Sequence, residues 1–102
     1  MSGRGANYSE NEVQALVESY AELKELRDTT RARLRYVLSL ADLGRALDRL
    51  YLDYWAVVLV HGLLGYSQYE TAHMLQISQS AVSKRYRRGI AESTYWINNG
   101  GI

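Results

Sequence analysis

The sequence specifies an all-α protein of five or six helices, and three observations lead there. No proline occurs in 102 residues, so nothing forces a break in a helical run. Apolar residues recur at three- and four-residue intervals over most of the chain, the rhythm of one helix face. Ser-x-x-Glu or Ser-x-x-Asp spacings occur at Ser9–Glu12, Ser39–Asp42 and Ser67–Glu70. There a hydroxyl and a carboxylate can satisfy the first backbone amides of a helix. The chain has no strand alternation and no internal repeat.

Met1 to Tyr8 is Gly-rich and polar, so disorder is expected up to Ser9. Ser9 and Glu12 then open an amphipathic helix whose stripe is Val13, Leu16, Val17, Tyr20, Leu23 and Leu26. Its far face carries Glu18, Glu22, Lys24 and Glu25. The rhythm lapses at Arg27, Thr30 and Arg31, which places a bend or break there. From Arg31 to Leu50 a second stripe runs through Tyr36, Leu40, Leu43, Leu47 and Leu50, widened by Leu34, Val37 and Leu38. Ser39 offers another point for a break. Tyr51-Leu52 reads as a turn, and Asp53 as the cap of a helix from Tyr54 to Leu64 that Gly62 and Gly65 end. That helix is apolar nearly all round and belongs in the middle of the domain. The expected core is Trp55, Val58, Leu59, Leu63, Leu75, Ile77 and Val82.

The stretch from Gly65 to Arg88 reads as two helices joined by a tight turn. Ser67 caps the first, which turns Ala72 and Leu75 to one face. Gln76-Ile77 breaks the pattern, and Ser78 caps the second. On the second helix Val82 faces inward, with Tyr86 a less certain anchor. Gln79, Ser80, Ser83, Lys84 and Arg87 face outward, and Arg85 and Arg88 flank them. A small residue on the first helix with apolar residues in the turn and early in the second lets the two cross closely. That is a C-terminal helix-turn-helix, whose second helix enters a DNA major groove. This helix is expected over Gln79 to Glu92, continuing towards Ile97, and Asn98 to Gly101 is the stop.

Gly65, Ser67, Glu70, Ala72, Leu75, Ile77, Ser78, Val82 and Arg85 together resemble region 4 of bacterial sigma factors, the part that reads promoter DNA. Ala46 to Gly65 looks like the helix pair that precedes the family's motif, and the resemblance extends from Ser39 to Glu92. Three positions depart from the pattern: Gln76 stands at the usual Gly of the turn, Thr71 at the usual Ile, and Tyr86 at the usual Leu. Nothing before Ser39 resembles other sigma regions. Small phage-encoded regulators with a sigma-like C-terminal half are the most similar type. The resemblance implies a sequence-specific transcriptional regulator that binds double-stranded DNA. It would be phage or mobile-element encoded and act in the cytoplasm of the bacterial host, at the nucleoid, with RNA polymerase as a further partner. Residues 1–8 would be a disordered start, 9–38 a segment for packing or dimerisation, 39–97 the sigma-like domain and 98–102 a tail.

Side-chain chemistry assigns the roles. Gln79, Ser80, Ser83, Lys84 and Arg87 are the base-reading set, since Gln can pair with adenine and Lys or Arg with guanine. Ser67, Ser78, Arg85 and Arg88 suit phosphates, and bracing the helices is nearly as good a role for Arg85. The formal net charge is +1, which argues against bulk-charge coating of DNA. The basic run Lys84, Arg85, Arg87 and Arg88 suits directed binding instead. Arg31, Arg33 and Arg35 read as a solvated face, and Tyr95 and Trp96 as an interface patch or a lid on the core.

Without cysteine there are no disulfides or thiolate metal sites, which fits a reducing compartment. No run nears the ~18 apolar residues of a membrane span, and the N-terminus lacks the apolar stretch of a secretion signal. His61 and His73 have no metal-ligand spacing around them. No nucleophile, phosphate-loop or paired-carboxylate motif occurs, so no enzyme activity, catalytic residue, metal or cofactor is expected. The unassigned stripe from Val13 to Leu38 suggests a homodimer or a fold-back onto the C-terminal half. Two other functions stay open: a region-4 mimic that binds RNA polymerase or another protein without reading DNA, and a phage DNA-packaging protein.

Overall fold

A computed structural model of the chain describes residues 7–20 and 41–99. The regular structure among these residues is all helical, with no strand. Helix α1 spans Glu10–Glu18, and α2 covers residues 41–47. Helix α3, Leu52–Val57, runs directly into a π-helical turn, Val58–Leu63. Helix α4 is Gln68–Leu75, and α5 is the long Gln79–Asn98. The expected break at Arg27 to Arg31, the Arg31, Arg33 and Arg35 face, the stripe from Leu34 to Leu40 and the Ser39 cap lie outside the described residues.

Helix α5 is the element the others share, packing against α1, α3, α4 and the π turn. Its inner row is Val82, Tyr86, Gly89, Ile90, Ser93, Thr94 and Ile97, all buried. Around it lie Val13, Leu16 and Val17 of α1, Leu43, Ala46 and Leu47 of α2, and Val57 and Val58. Val13, Leu16 and Val17 are therefore covered within the chain, while residues 21–38 of the stripe that suggests a homodimer lie outside the described residues. A polar contact also ties the seam: the Tyr86 hydroxyl donates to Glu18 Oε2 at 2.7 Å. Burial first, and the Glu18 carboxylate second, push the Tyr86 pKa well above the ordinary phenol range.

Several sequence expectations need correction. Trp55 is 37 % exposed, and Tyr51 and Leu52 about three-quarters exposed. The first turn of α3 reaches past its neighbours, and burial begins behind it, at Val57, Val58, Val60 and Gly62. Being apolar all round did not put the whole helix inside. Val58 and Val82 are in the core, while Leu63, Leu75 and Ile77 are half-buried against it, and Leu59 is half-buried too. The helix begins at Leu52, with Tyr51 at the cap position and Asp53 inside the first turn. Asp53 still favours the positive end of the helix dipole from there.

Gly62 does not end the helix. It lies in the π turn, where Leu64 N–H bonds five residues back to Leu59 C=O at 2.9 Å. A Cβ at Gly62 would stand 2.4 Å from Val17 Cγ1 and 3.0 Å from Tyr86 Cε1, so the backbone itself forms the contact surface. Gly65, with φ +81, is the true stop. At the other end, Tyr8 is not part of a disordered start. Its N–H donates to Asn98 Oδ1 at 2.7 Å, and Asn98 Nδ2 donates to Tyr8 C=O at 2.9 Å.

Candidate nucleic-acid interface

The sequence around α4 and α5 dictates their geometry closely. At the start of α4, Ser67 Oγ accepts from Glu70 N–H at 3.0 Å and Glu70 Oε1 accepts from Ser67 N–H at 2.9 Å. This is a reciprocal capping box. The helix ends at Gln76, whose φ of 59° is left-handed. Gln76 N–H bonds to His73 C=O and Ile77 N–H to Ala72 C=O, the pair of bonds of a Schellman motif. Gln76 therefore adopts the conformation a glycine would take, at the strain cost of a Cβ. Two residues later Ser78 Oγ accepts from Ala81 N–H at 3.0 Å and starts α5. Thr71 is fully buried on α4, and its Oγ1 has no hydrogen-bond partner among the described residues.

The first half of α5 presents its side chains in three rows, because residues four apart stack on a helix. Gln79, Ser83 and Arg87 form the row towards α4. Gln79 shares a concavity there with Tyr69, His73 and Gln76. Ser80, Lys84 and Arg88 form the crest, all exposed. Ala81 and Arg85 form the row towards α3, where they line an open groove together with Tyr51 and Tyr54. Of the expected base-reading residues, Gln79, Ser80, Lys84 and Arg87 are exposed and Ser83 is half-buried. Ser83 Oγ accepts from Arg87 Nη1 at 3.3 Å, which steadies the guanidinium.

Among the expected phosphate ligands, Ser67 and Ser78 are both caps. Each oxygen accepts a backbone N–H and keeps a hydroxyl proton to donate. Arg88 Nε donates to Glu92 Oε2 at 2.9 Å, a bond that raises the Arg88 pKa. Its guanidinium also stands 6.0 Å from the Tyr54 ring centre. Arg85 is half-buried, and among the described residues neither it nor Lys84 makes a hydrogen bond or ion pair. From Gln79 to Ala91 the helix has four cations and no acid.

His61 is structural: its ring meets Tyr86 edge-on at 4.8 Å, and Nδ1 lies 2.7 Å from Tyr66 C=O. His73 is exposed. Trp96 packs against the core, with Arg49 4.9 Å from its ring centre, while Tyr95 is exposed. Among the described residues no group of His, Asp and Glu is placed to hold a metal ion, and no helix is long and apolar enough to cross a membrane. Sequence reasoning missed Tyr51 and Tyr54 beside the basic face. Their only signal is three-residue spacing at the start of an apolar helix. Comparison with protein-family models, with curated proteins and with solved structures finds no match for this chain.

Proposed function

We propose that α4 and α5 act as a helix-turn-helix and that the protein is a sequence-specific transcriptional regulator of double-stranded DNA, of phage or mobile-element type. The observation that carries this reading is the first half of α5. It is a capped helix anchored beneath by Val82, Tyr86 and Ile90, with an outer arc of Ser80, Lys84, Arg87 and Arg88 and no acid of its own before Glu92. A structural helix needs the inner row but gives no reason for such an arc. Lys84 and Arg87 would meet base edges, with Gln79, Ser80 and Ser83 beside them. Ser67, Ser78, Arg85 and Arg88 would hold phosphates. Contact with RNA polymerase in the cytoplasm of a bacterial host belongs to the same proposal, on the sigma-like pattern alone.

The test starts by selecting a preferred duplex from a random pool with the full chain. Gln79→Ala, Lys84→Ala, Arg87→Ala and Arg88→Ala are then compared on that duplex and a scrambled one at several salt concentrations. Losing a base contact should cost about 1–3 kcal/mol on the preferred duplex and relax one position. Losing the Arg88 phosphate contact should weaken both duplexes alike and lower the salt slope by about one unit. Four unchanged variants would remove the DNA reading.

A second reading has its own observation. Leu64, Tyr66, Tyr69 and Met74 are exposed on α4 and the loop before it, a surface suited to a protein partner. If purified RNA polymerase binds the chain and no duplex does, this surface takes precedence.

A further inference from the structure

We infer that the groove between the start of α3 and α5 holds the second sugar–phosphate strand bordering the DNA major groove, with Tyr51 and Tyr54 as its outer wall. The inference rests on the DNA reading above, which already gives Arg85 and Arg88 to phosphates, and extends it to the Tyr51 and Tyr54 wall that the reading does not use. The groove is open, about 700 Å³ in volume, and bounded by Tyr51, Asp53 and Tyr54 on one side and Lys84, Arg85 and Arg88 on the other.

The major groove is ~12 Å wide and a helix with its side chains is about as broad. A helix seated there has one backbone strand on each flank. Towards α4, the capped Ser67 end and the Gln79, Ser83 and Arg87 row face one strand. The opposite flank of α5 is this groove, so the second strand falls where Arg85 and Arg88 converge.

The chemistry fits a phosphodiester. Arg85 makes no hydrogen bond or ion pair among the described residues, so its donors can turn to an anion. Arg88 is held between Glu92 and the Tyr54 ring, which fixes one face of its guanidinium and leaves its side chain exposed. Tyr51 and Tyr54 pack edge to face at 6.1 Å. They line the groove with flat apolar surface, suited to a sugar, and with phenol hydroxyls suited to a phosphate oxygen. Asp53 is the one acid in the wall and opposes the anion. A small apolar ligand is a poorer occupant, because three cations would have to be desolvated around it.

The experiment measures binding of the full chain to a short random-sequence duplex over a range of salt, with thermal midpoints as the control for folding. Arg85→Gln should weaken binding roughly tenfold and lower the salt slope by about one unit. Tyr51→Ala, at an exposed position, should weaken binding roughly threefold with the slope unchanged, because a neutral group displaces no counterion. Asp53→Asn should strengthen binding roughly two- to threefold. If Arg85→Gln unfolds the chain, the Tyr51 and Asp53 variants decide. Unaltered affinity in both, with Arg87→Ala still weakening binding to the preferred duplex, overturns the groove assignment and leaves the DNA reading standing. No duplex binding by the wild-type chain overturns both. Arg85-dependent binding of polyglutamate without duplex binding overturns the groove assignment in favour of an acidic protein.

Discussion

The two halves of α5 are one continuous helix put to opposite uses. From Gln79 to Arg88 only Val82 and Tyr86 are buried, and the rest of the surface is polar and basic. From Gly89 to Asn98, Gly89, Ile90, Ser93, Thr94 and Ile97 are buried, even though Ser93 Oγ finds no partner among the described residues. At Gly89 the neighbour is so near that a Cβ would lie 2.6 Å from Val58 Cγ2. The second half is buried over more of its circumference than the first, which keeps only Val82 and Tyr86 inside.

The largest effect should come from breaking the anchor. Ile90→Ala should destabilise the fold by about 2–5 kcal/mol, whereas Arg87→Ala should change stability by less than about 0.5 kcal/mol. Denaturant melts of the two variants check the contrast, and similar losses would mean the halves are not separable. Thr71→Val follows, since it keeps the shape under the first half and removes a buried hydroxyl without a partner. A gain of about 1–2 kcal/mol is expected, seen as a raised thermal midpoint.

Tyr86→Phe sharpens the boundary between the halves by removing the hydroxyl bond to Glu18. Since Glu18 is exposed and water can replace the donor, the loss should be about 1 kcal/mol at neutral pH. The pH dependence has a definite sign. The Tyr86 pKa is raised in the fold, so the native state holds this proton more tightly than the unfolded chain. The associated stability is complete below about pH 10, the unfolded phenol value, and is lost as pH climbs towards the folded value. Wild type should therefore lose stability more steeply above pH 10 than Tyr86→Phe in alkaline unfolding titrations. The smallest effect is expected of Gln76→Gly, which relieves the left-handed backbone at the turn. Its gain should be about 0.5–1 kcal/mol, and a lower midpoint would show that the Gln76 side chain does more than occupy the turn.

The sequence by itself determined the helical class, the Ser9, Ser67 and Ser78 caps, the turn at Gln76 and Ile77, and the inward and outward rows of early α5. These are local properties. A cap needs partners three residues away, and a helix row repeats every three or four, so neighbouring residues carry the whole signal. Tertiary structure decided the rest. It chose which part of the apolar helix from Leu52 onward is buried, burying Val57 and Val58 while Trp55 stays out. It sent Val13, Leu16 and Val17 of α1 back into the core with α5 and joined Tyr86 to Glu18 across 68 positions. It used Gly62 as a contact surface against Val17, and brought Tyr51 and Tyr54 beside Arg85 and Arg88. An apolar residue carries the same transfer energy whichever neighbour covers it. Periodicity therefore says that a face will be buried, and only the shape of the assembled helices says against what.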